Sequence, residues 1–350
     1  MSDTSDIPCT VGVVAIGRNE GERLVRCLRS LKGSGGPVVY VDSGSTDGSP
    51  DHARSVGVEV VDLDMSIPFT AARARNAGLD HLCQLCADVE YVQFVDGDCE
   101  IARGWIDAAR TWLDEHRHVA VVFGRRRECH REQTLYNAFC DLEWNTPVGE
   151  ASACGGDAMF RVDTLRQVGD YRETLIAGEE PELCVRLRQA GYRVFRIDHD
   201  MTWHDADMRR FSQWWRRTVR AGHAYAEVVA LHGAKAPAGW RRQVLSQWAW
   251  AVGLPLFAAA LTLTIGPWGL VPLLAYPLLI FRIASKQDHK ESRPAICWWS
   301  AVFCVIGKWP QVVGQMRYWH GRVTGRRSGI MEYKGSASDP VAPNALATRE

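Results

Sequence analysis

The sequence carries no surplus of either charge: 41 lysines and arginines balance 41 aspartates and glutamates, for a formal net charge of +0. A chain that tracks a phosphate backbone needs a basic face, and no basic tract of that length occurs, so nucleic acid drops out as a partner. A disulfide framework is missing its signature too. The eleven cysteines are scattered and odd in number, and residues 1–10 are polar and acidic where a secretory leader would be apolar. Both features predict reduced thiols in a cytoplasmic setting. Cys83 and Cys86 make one CxxC beside His81, yet no second pair stands at zinc-ribbon spacing, so these read as structural cysteines at a helix end. Neither GxGxxG nor GxxxxGK[ST] occurs. That removes the Rossmann dinucleotide site and the P-loop as ways of holding a nucleotide.

What is present is organised around Tyr91-Val92-Gln93-Phe94-Val95-Asp96-Gly97-Asp98. The run has the aromatic and β-branched content of a central strand in an α/β sheet, and such sheets bind ligands just beyond the carboxyl ends of their strands. Asp96 and Asp98 stand at that end, with Gly97 allowing a sharp turn between them. Two carboxylates this close repel unless a cation lies with them. Hard oxygen ligands suit Mg²⁺ or Mn²⁺, ions that bridge to substrate phosphates.

At 350 residues and 46% hydrophobic content, the chain is long enough for two folded domains. Residues 11–16 form an apolar run followed by Gly17-Arg18-Asn19-Glu20 and then by Leu24, Val25, Leu28 and Leu31 at helical spacing. Residues 37–42 supply a second strand ending on Asp42, and Ser49-Pro50 offers an N-cap and a first-turn proline for the next helix. Residues 58–61 read as a third strand, 70–86 as a long helix carrying Arg73, Arg75 and Asn76, and 119–124 as a further strand. Helix after strand at this spacing predicts an α/β fold with a mostly parallel sheet. The acids at strand ends are then left to hold a nucleotide through a metal. Residues 194–197 give the last predicted strand, with 198–208 following as a polar stretch that contains His199 and His204.

Four motifs occur in the order of a known family: Arg18-Asn19-Glu20, Asp42-Ser43-Gly44-Ser45-Thr46-Asp47-Gly48-Ser49, Arg73-Ala74-Arg75-Asn76-Ala77-Gly78 and Asp96-Gly97-Asp98. Together, over about the first hundred residues, the chain resembles the family 2 glycosyltransferases with the GT-A fold. The resemblance implies a nucleotide-diphosphate sugar donor, UDP-, GDP- or dTDP-linked, held by Asn19, Glu20, Asp42, Ser43, Arg73, Asn76, Asp96 and Gly97. Asp42 would touch the base or ribose, Asp96 the ribose or metal, and Asp98 the metal on the diphosphate. Ala153-Cys154-Gly155-Gly156-Asp157 is similar to the family's acceptor-side segment, with Asp157 where Asn is usual, which places Gly156 and Asp157 in the site. Glu179-Glu180 stands where the family has Glu-Asp, its second acid being the base. Glu180 is therefore the expected base, Glu179 the alternative, and both would equally suit a helix N-terminus. His204, ahead of His199, would be a third metal ligand. Two other readings stay open: a sugar nucleotidyltransferase, and a non-catalytic membrane-tethered scaffold that binds nucleotide sugars.

Most of the fourteen tryptophans fall after residue 200. Residues 209–231 set Phe211, Trp214, Trp215, Thr218 and Gly222 near one face among arginines, an amphipathic helix for the membrane interface or for packing on the catalytic domain. Its Gln213-Trp214-Trp215-Arg216 is similar to the QxxRW of processive synthases, with Arg217 in place of the final Trp. Residues 245–265 run without a charge, enough at about 1.5 Å per residue to cross a core of about 30 Å, and 268–281 return after Gly266-Pro267. Arg241 and Arg242 precede this hairpin and Arg282, Lys286, Lys290 and Arg293 follow it, which predicts an inner- or plasma-membrane protein with a cytoplasmic catalytic domain. Residues 295–313 are expected to lie in the interface or re-enter. The expected divisions are a catalytic domain at 1–208, the amphipathic helix and linker at 209–240, membrane segments at 241–334 and a disordered tail at 335–350. The acceptor expected from this layout is lipid-linked or membrane-associated, in cell-surface polysaccharide biosynthesis.

Overall fold

The computed structural model describes residues 10–287 and 293–325, so the expected tail at 335–350, residues 1–9 and Lys290 lie outside the described residues. The first part alternates as anticipated: β1 (Val11–Gly17), α1 (Glu22–Ser30), β2 (Val38–Asp42), α2 (Ser49–Ser55), β3 (Glu59–Asp62), α3 (Ala71–Leu85) and β4 (Tyr91–Asp96). β1 lies between β2 and β4, parallel to both, with Val14 opposite Val39 on one side and Phe94 on the other. The strand residues Val13, Val14, Val39, Val41, Val92 and Phe94 are fully buried, as continuous apolar runs in a sheet covered on both faces should be. One expectation at a helix start is corrected. Gly48, not Ser49, holds the cap position of α2 at φ 81°, and the Asp47 carboxylate accepts the Ser49 N–H.

Next come β5 (Cys99–Ile101), α4 (Trp105–Glu115), β6 (Val119–Glu128), α5 (Leu135–Trp144), β7 (Gly149–Glu150), β8 (Ala158–Arg161), α6 (Val162–Gln167), α7 (Glu179–Gln189) and β9 (Arg193–His204). All nine strands join one mostly parallel mixed sheet of order β3-β2-β1-β4-β8-β6-β9-β5, with β7 paired to β9. The parallel ladder stops at β4, where β8 enters antiparallel and passes the sheet on to β6 and its parallel neighbour β9. β9 is far longer than the four-residue strand expected. Its polar second half pairs with Arg125 to Glu128 of an equally extended β6, and alternation buries Thr202 and His204 while leaving Trp203 half exposed. β5 was not anticipated. It pairs antiparallel with β9, and its register sets Cys99 directly opposite His204.

Helices alone follow: α8 (Phe211–His232), α9 (Trp240–Trp248), α10 (Leu254–Ile265), α11 (Ala275–Gln287), α12 (Pro294–Ile306) and α13 (Lys308–Thr324). Residues 249–253 continue α9 into α10 as π-type helix, and residues 266–274 form a 3₁₀ stretch. The chain doubles back there, since the Tyr276 hydroxyl donates to the Trp250 carbonyl at 2.6 Å. α8 packs along α13, backbone against backbone: a Cβ on Gly222 would lie 2.1 Å from the Gln311 carbonyl oxygen, and one on Gly314 2.0 Å from that of Val219. Trp214, Thr218 and Gly222 are buried in this contact, so the aromatic face of α8 is spent on α12 and α13. The ten described cysteines are free thiols.

Candidate functional site

β1 and β4 end side by side, and the cleft beyond their carboxyl ends, about 520 Å³, is walled by α3, α7, α8 and the Trp144 ring. At its floor four carboxylates and two arginines form one chain of contacts. The Arg75 guanidinium, 2% exposed, reaches Asp96 at 3.0 Å, Glu179 at 3.0 Å and Glu180 at 3.1 Å. Arg126 joins the other Asp96 oxygen at 3.3 Å to Asp157 at 2.7 Å. Asp157 in turn accepts the Asp96 N–H at 3.0 Å and the Thr202 hydroxyl at 2.8 Å. Charges this deeply buried persist only as a matched set; removing one partner of such a pair costs about 3–5 kcal/mol. Gly156 is the one residue type that fits among them, because a Cβ there would sit 2.6 Å from Arg75 Nη2 and 2.9 Å from Asp96 Oδ2.

Glu179 and Glu180 open the first turn of α7, where the helix dipole favours negative charge. Burial, together with the Glu179 carboxylate, nevertheless pushes Glu180 up to about 7, against the pull of Arg75. A carboxylate tuned to that range can hold or release a proton near neutrality, and this one faces the cleft.

The β5–β9 register carries Asp98 to His204: Nε2 lies 3.3 Å from Asp98 Oδ2, both side chains being nearly closed to solvent. Burial first, then the Arg126 guanidinium, lowers His204 to about 4, so the ring is neutral. Its Nδ1 has no hydrogen-bond partner and looks toward Glu128 Oε2 at 3.9 Å. Two donor groups within 4.8 Å of one another occur among the described residues, Asp98 with Cys99 and His204, and Asp96 with Cys99 and Asp157. Arg75 and Arg126 already neutralise the second. The first suits a divalent cation, with a carboxylate and a neutral imidazole as donors and Glu128 placed to take up the Nδ1–H; burial raises the Cys99 thiol.

The remaining expected residues divide. Asn19, Glu20, Ser43, Asp96, Gly97, Asp98, Gly156, Glu179, Glu180 and His204 line the cleft. Asn19, at φ 54°, latches the loop after β2: its N–H donates to Ser45 and its side-chain oxygen accepts the Thr46 N–H. Glu20 pairs with Arg23 at 2.9 Å. Asp42 does not line the cleft, because its oxygens are taken by the Tyr40 hydroxyl and by the Gly44 and Ser45 N–H groups. Asp157 lies beneath the cleft, fully buried and paired to Arg126. Arg73 and Asn76, expected at the donor, do not line the cleft. Arg73 donates to the carbonyls of Asp64, Ile67 and Pro68, and Asn76 is bound to Tyr171 and Glu173. The arginine that enters is Arg75, two positions on and therefore on the opposite side of α3. Arg126, Trp144, Arg217 and Arg220 also line the cleft without having been singled out; the arginine run at 125–127 and the basic face of α8 were the available signals. His199 lies elsewhere, in a second cavity.

With this geometry in place, residues 13–167 match the family model described as Glycosyl transferase family 2. The match covers the part of the sheet domain that runs from β1 to α6. It is 27% identical over 237 residues to the pre-mycofactocin glycosyltransferase of Mycobacterium tuberculosis, covering 64% of this chain and 48% of that one. It is 29% identical over 191 residues to the succinoglycan biosynthesis protein ExoA of Rhizobium meliloti, covering 51% and 56%. The chain thus spans about half the length of these curated relatives. Among solved structures, the mannosyltransferase PcManGT from Pyrobaculum calidifontis, in complex with GDP-Man and Mn²⁺, superposes with a TM-score of 0.57 at 18% identity over 88% of this chain and 87% of that one. The likeness establishes a GT-A fold.

Proposed function

We propose that this family 2 domain transfers a sugar, with inversion, from a nucleotide-diphosphate donor to a lipid-linked or membrane-associated acceptor of cell-surface glycan synthesis. The observation that carries the reading is Glu180, tuned near neutrality, opening into the same cleft as Asp98 and His204. The acceptor hydroxyl gives its proton to the Glu180 carboxylate while its oxygen bonds the anomeric carbon; the bond from that carbon to the diphosphate breaks, and the diphosphate leaves with the electron pair. Arg75, bonded to both Glu180 and Asp96, fixes the base relative to the β4 end of the cleft. Arg217 and Arg220 add positive charge on the α8 wall. Asp98 and His204 would hold Mg²⁺ or Mn²⁺, which supplies charge neutralisation on the leaving diphosphate.

Membrane attachment with the catalytic domain on the cytoplasmic side belongs to the same proposal. It is supported by two helical stretches long and apolar enough to cross a bilayer, Trp240–Gln287 and Pro294–Thr324, and by basic residues near both ends of the first.

The test is incubation of the intact protein with UDP-, GDP- and dTDP-sugars, a polyprenyl-phosphate acceptor and Mn²⁺. Acceptor-dependent release of nucleoside diphosphate, lost at least 100-fold in Asp98→Asn, is the expected result. Release of pyrophosphate would identify a nucleotidyltransferase instead, and binding without turnover would identify a scaffold.

A further inference from the structure

A second cavity, of about 760 Å³, shares no lining residue with the cleft. Alternation along β6 creates the division: Arg126 turns to the cleft, Arg125 and Arg127 to this cavity. Arg103, Arg131 and Arg196 complete a lining of five guanidinium groups, set against the carboxylates of Asp141, Asp198 and Asp200.

Part of that charge is structural. Asp141 pairs with Arg125 at 3.0 Å and with Arg131 at 3.3 Å, tying α5 to β6, and Asp200 pairs with Arg127 at 2.8 Å. The rest is incompletely matched: Asp198 and Asp200 attract Arg196 without forming an ion pair with it. Arg196 is 4% exposed, its Nη1 donates to the Thr146 carbonyl, and its Nε has no hydrogen-bond partner. It makes no ion pair among the described residues, nor does the exposed Arg103 at the rim. Burial lowers both Arg125 and Arg196; Asp141 opposes it for the first and Asp198 for the second, and Arg127 adds to it for both. Five guanidinium groups against three carboxylates leave a positive lining; burying a guanidinium among too few anions is costly, and an apolar side chain would fill the same space more cheaply. The arrangement makes physical sense when an external anion completes it.

We infer that this cavity is a second ligand site, distinct from the catalytic cleft, that takes a phosphate-bearing molecule. Guanidinium forks match phosphate oxygens two at a time, which is why arginine rather than lysine builds such sites. The volume exceeds what a bare phosphate fills and suits a phosphate ester or diphosphate with a further moiety. Trp203, half exposed and already carrying Arg127 at 5.8 Å from its ring, offers an aromatic wall for that moiety. The ligand is either a soluble phosphoester or the headgroup of an acidic phospholipid.

The experiment measures binding to the intact protein in detergent, with chelator present to suppress metal-dependent binding in the cleft. Inorganic pyrophosphate and glucose 1-phosphate are the soluble probes, and phosphatidylcholine bilayers with and without phosphatidic acid are the lipid probe. Arg103→Glu sits at the exposed rim and tests the site without disturbing the core, while Arg196→Gln tests its floor. A tenfold or greater loss of soluble-probe binding in both variants, with Asp98→Asn unaffected, identifies a soluble ligand. The same loss confined to phosphatidic-acid bilayers identifies a lipid headgroup. Binding of every probe that is unchanged in Arg103→Glu, or that disappears in Asp98→Asn, overturns the proposal.

Discussion

Arg75 is the residue on which the cleft turns, because one guanidinium bonds three carboxylates that would otherwise repel. Its role makes two neighbours testable. Replacing Glu180 by Gln keeps the shape and removes the base, so transfer should fall by about 10²–10⁴ while donor binding holds. The sign of the pH dependence follows from the upward shift: in the proposed role Glu180 acts as the carboxylate, and with its pKa pushed up to about 7 it is protonated and silent below that pH. Transfer should therefore rise through about pH 7 and level off above it, with the rise absent from Glu180→Gln. A wild-type rise centred near 4 would remove Glu180 from the role. Gly156→Ala is the steric counterpart. Its Cβ would displace Arg75 from Asp96, and overpacking of this kind costs about 1–3 kcal/mol. Melting temperature and transfer should drop together, whereas Gly155→Ala, which meets open space, should change neither.

Among the elements, those of the first hundred residues were legible because parallel strands buried on both faces write themselves as unbroken apolar runs, as in 11–16 and 91–95. The extended half of β9 was not, since Asp198, Asp200 and Thr202 give no apolar signal and gain their strand geometry from pairing with an equally polar β6. β5 escaped notice because it is three residues long, and with it went the register that brings Asp98 to His204. The resemblance implied that Asp98 and His204 share a metal; the strand pairing that brings them together was not legible. Arg73 shows the converse limit. A helical motif marks both of its arginines, and only the fold decides which of two opposed faces meets the cleft. The α8–α13 contact yields a prediction at this scale. Gly222→Ala and Gly314→Ala each drive a Cβ into the facing backbone, so each should cost about 1–3 kcal/mol. Because Arg217 and Arg220 line the cleft from α8, donor affinity should weaken with stability. Unchanged melting of both variants would mean that the two helices do not approach this closely in solution.

The molecule as a whole joins a sheet domain to a helical hairpin that leaves much of its apolar surface uncovered. Leu263 is 89% exposed, Trp268 76%, Leu245 70% and Leu278 69%, on a 48-residue stretch of which 11% of the most apolar window is buried. Patches of that extent on a folded chain mark contact with a membrane or another protein. The stretch Pro294–Thr324 differs: half of its apolar window is covered, with α12 and α13 packed on α5 and α8. Cutting the chain before α9 would therefore strip α13 from α8 and disturb the cleft wall, so deletion is a poor test of attachment. Charge substitution on the open face is a better one. A charged side chain at the centre of a membrane helix costs about 2.5–3.5 kcal/mol, so Leu256→Asp with Leu274→Asp, both exposed near the middle of the two runs, should release the protein from lipid vesicles in a flotation assay. Neither side chain touches the sheet domain, so turnover of a soluble short acceptor should survive while transfer to a polyprenyl-linked acceptor in vesicles collapses. Retention of the double variant on vesicles at the wild-type level would show that the hairpin face is covered by something other than lipid.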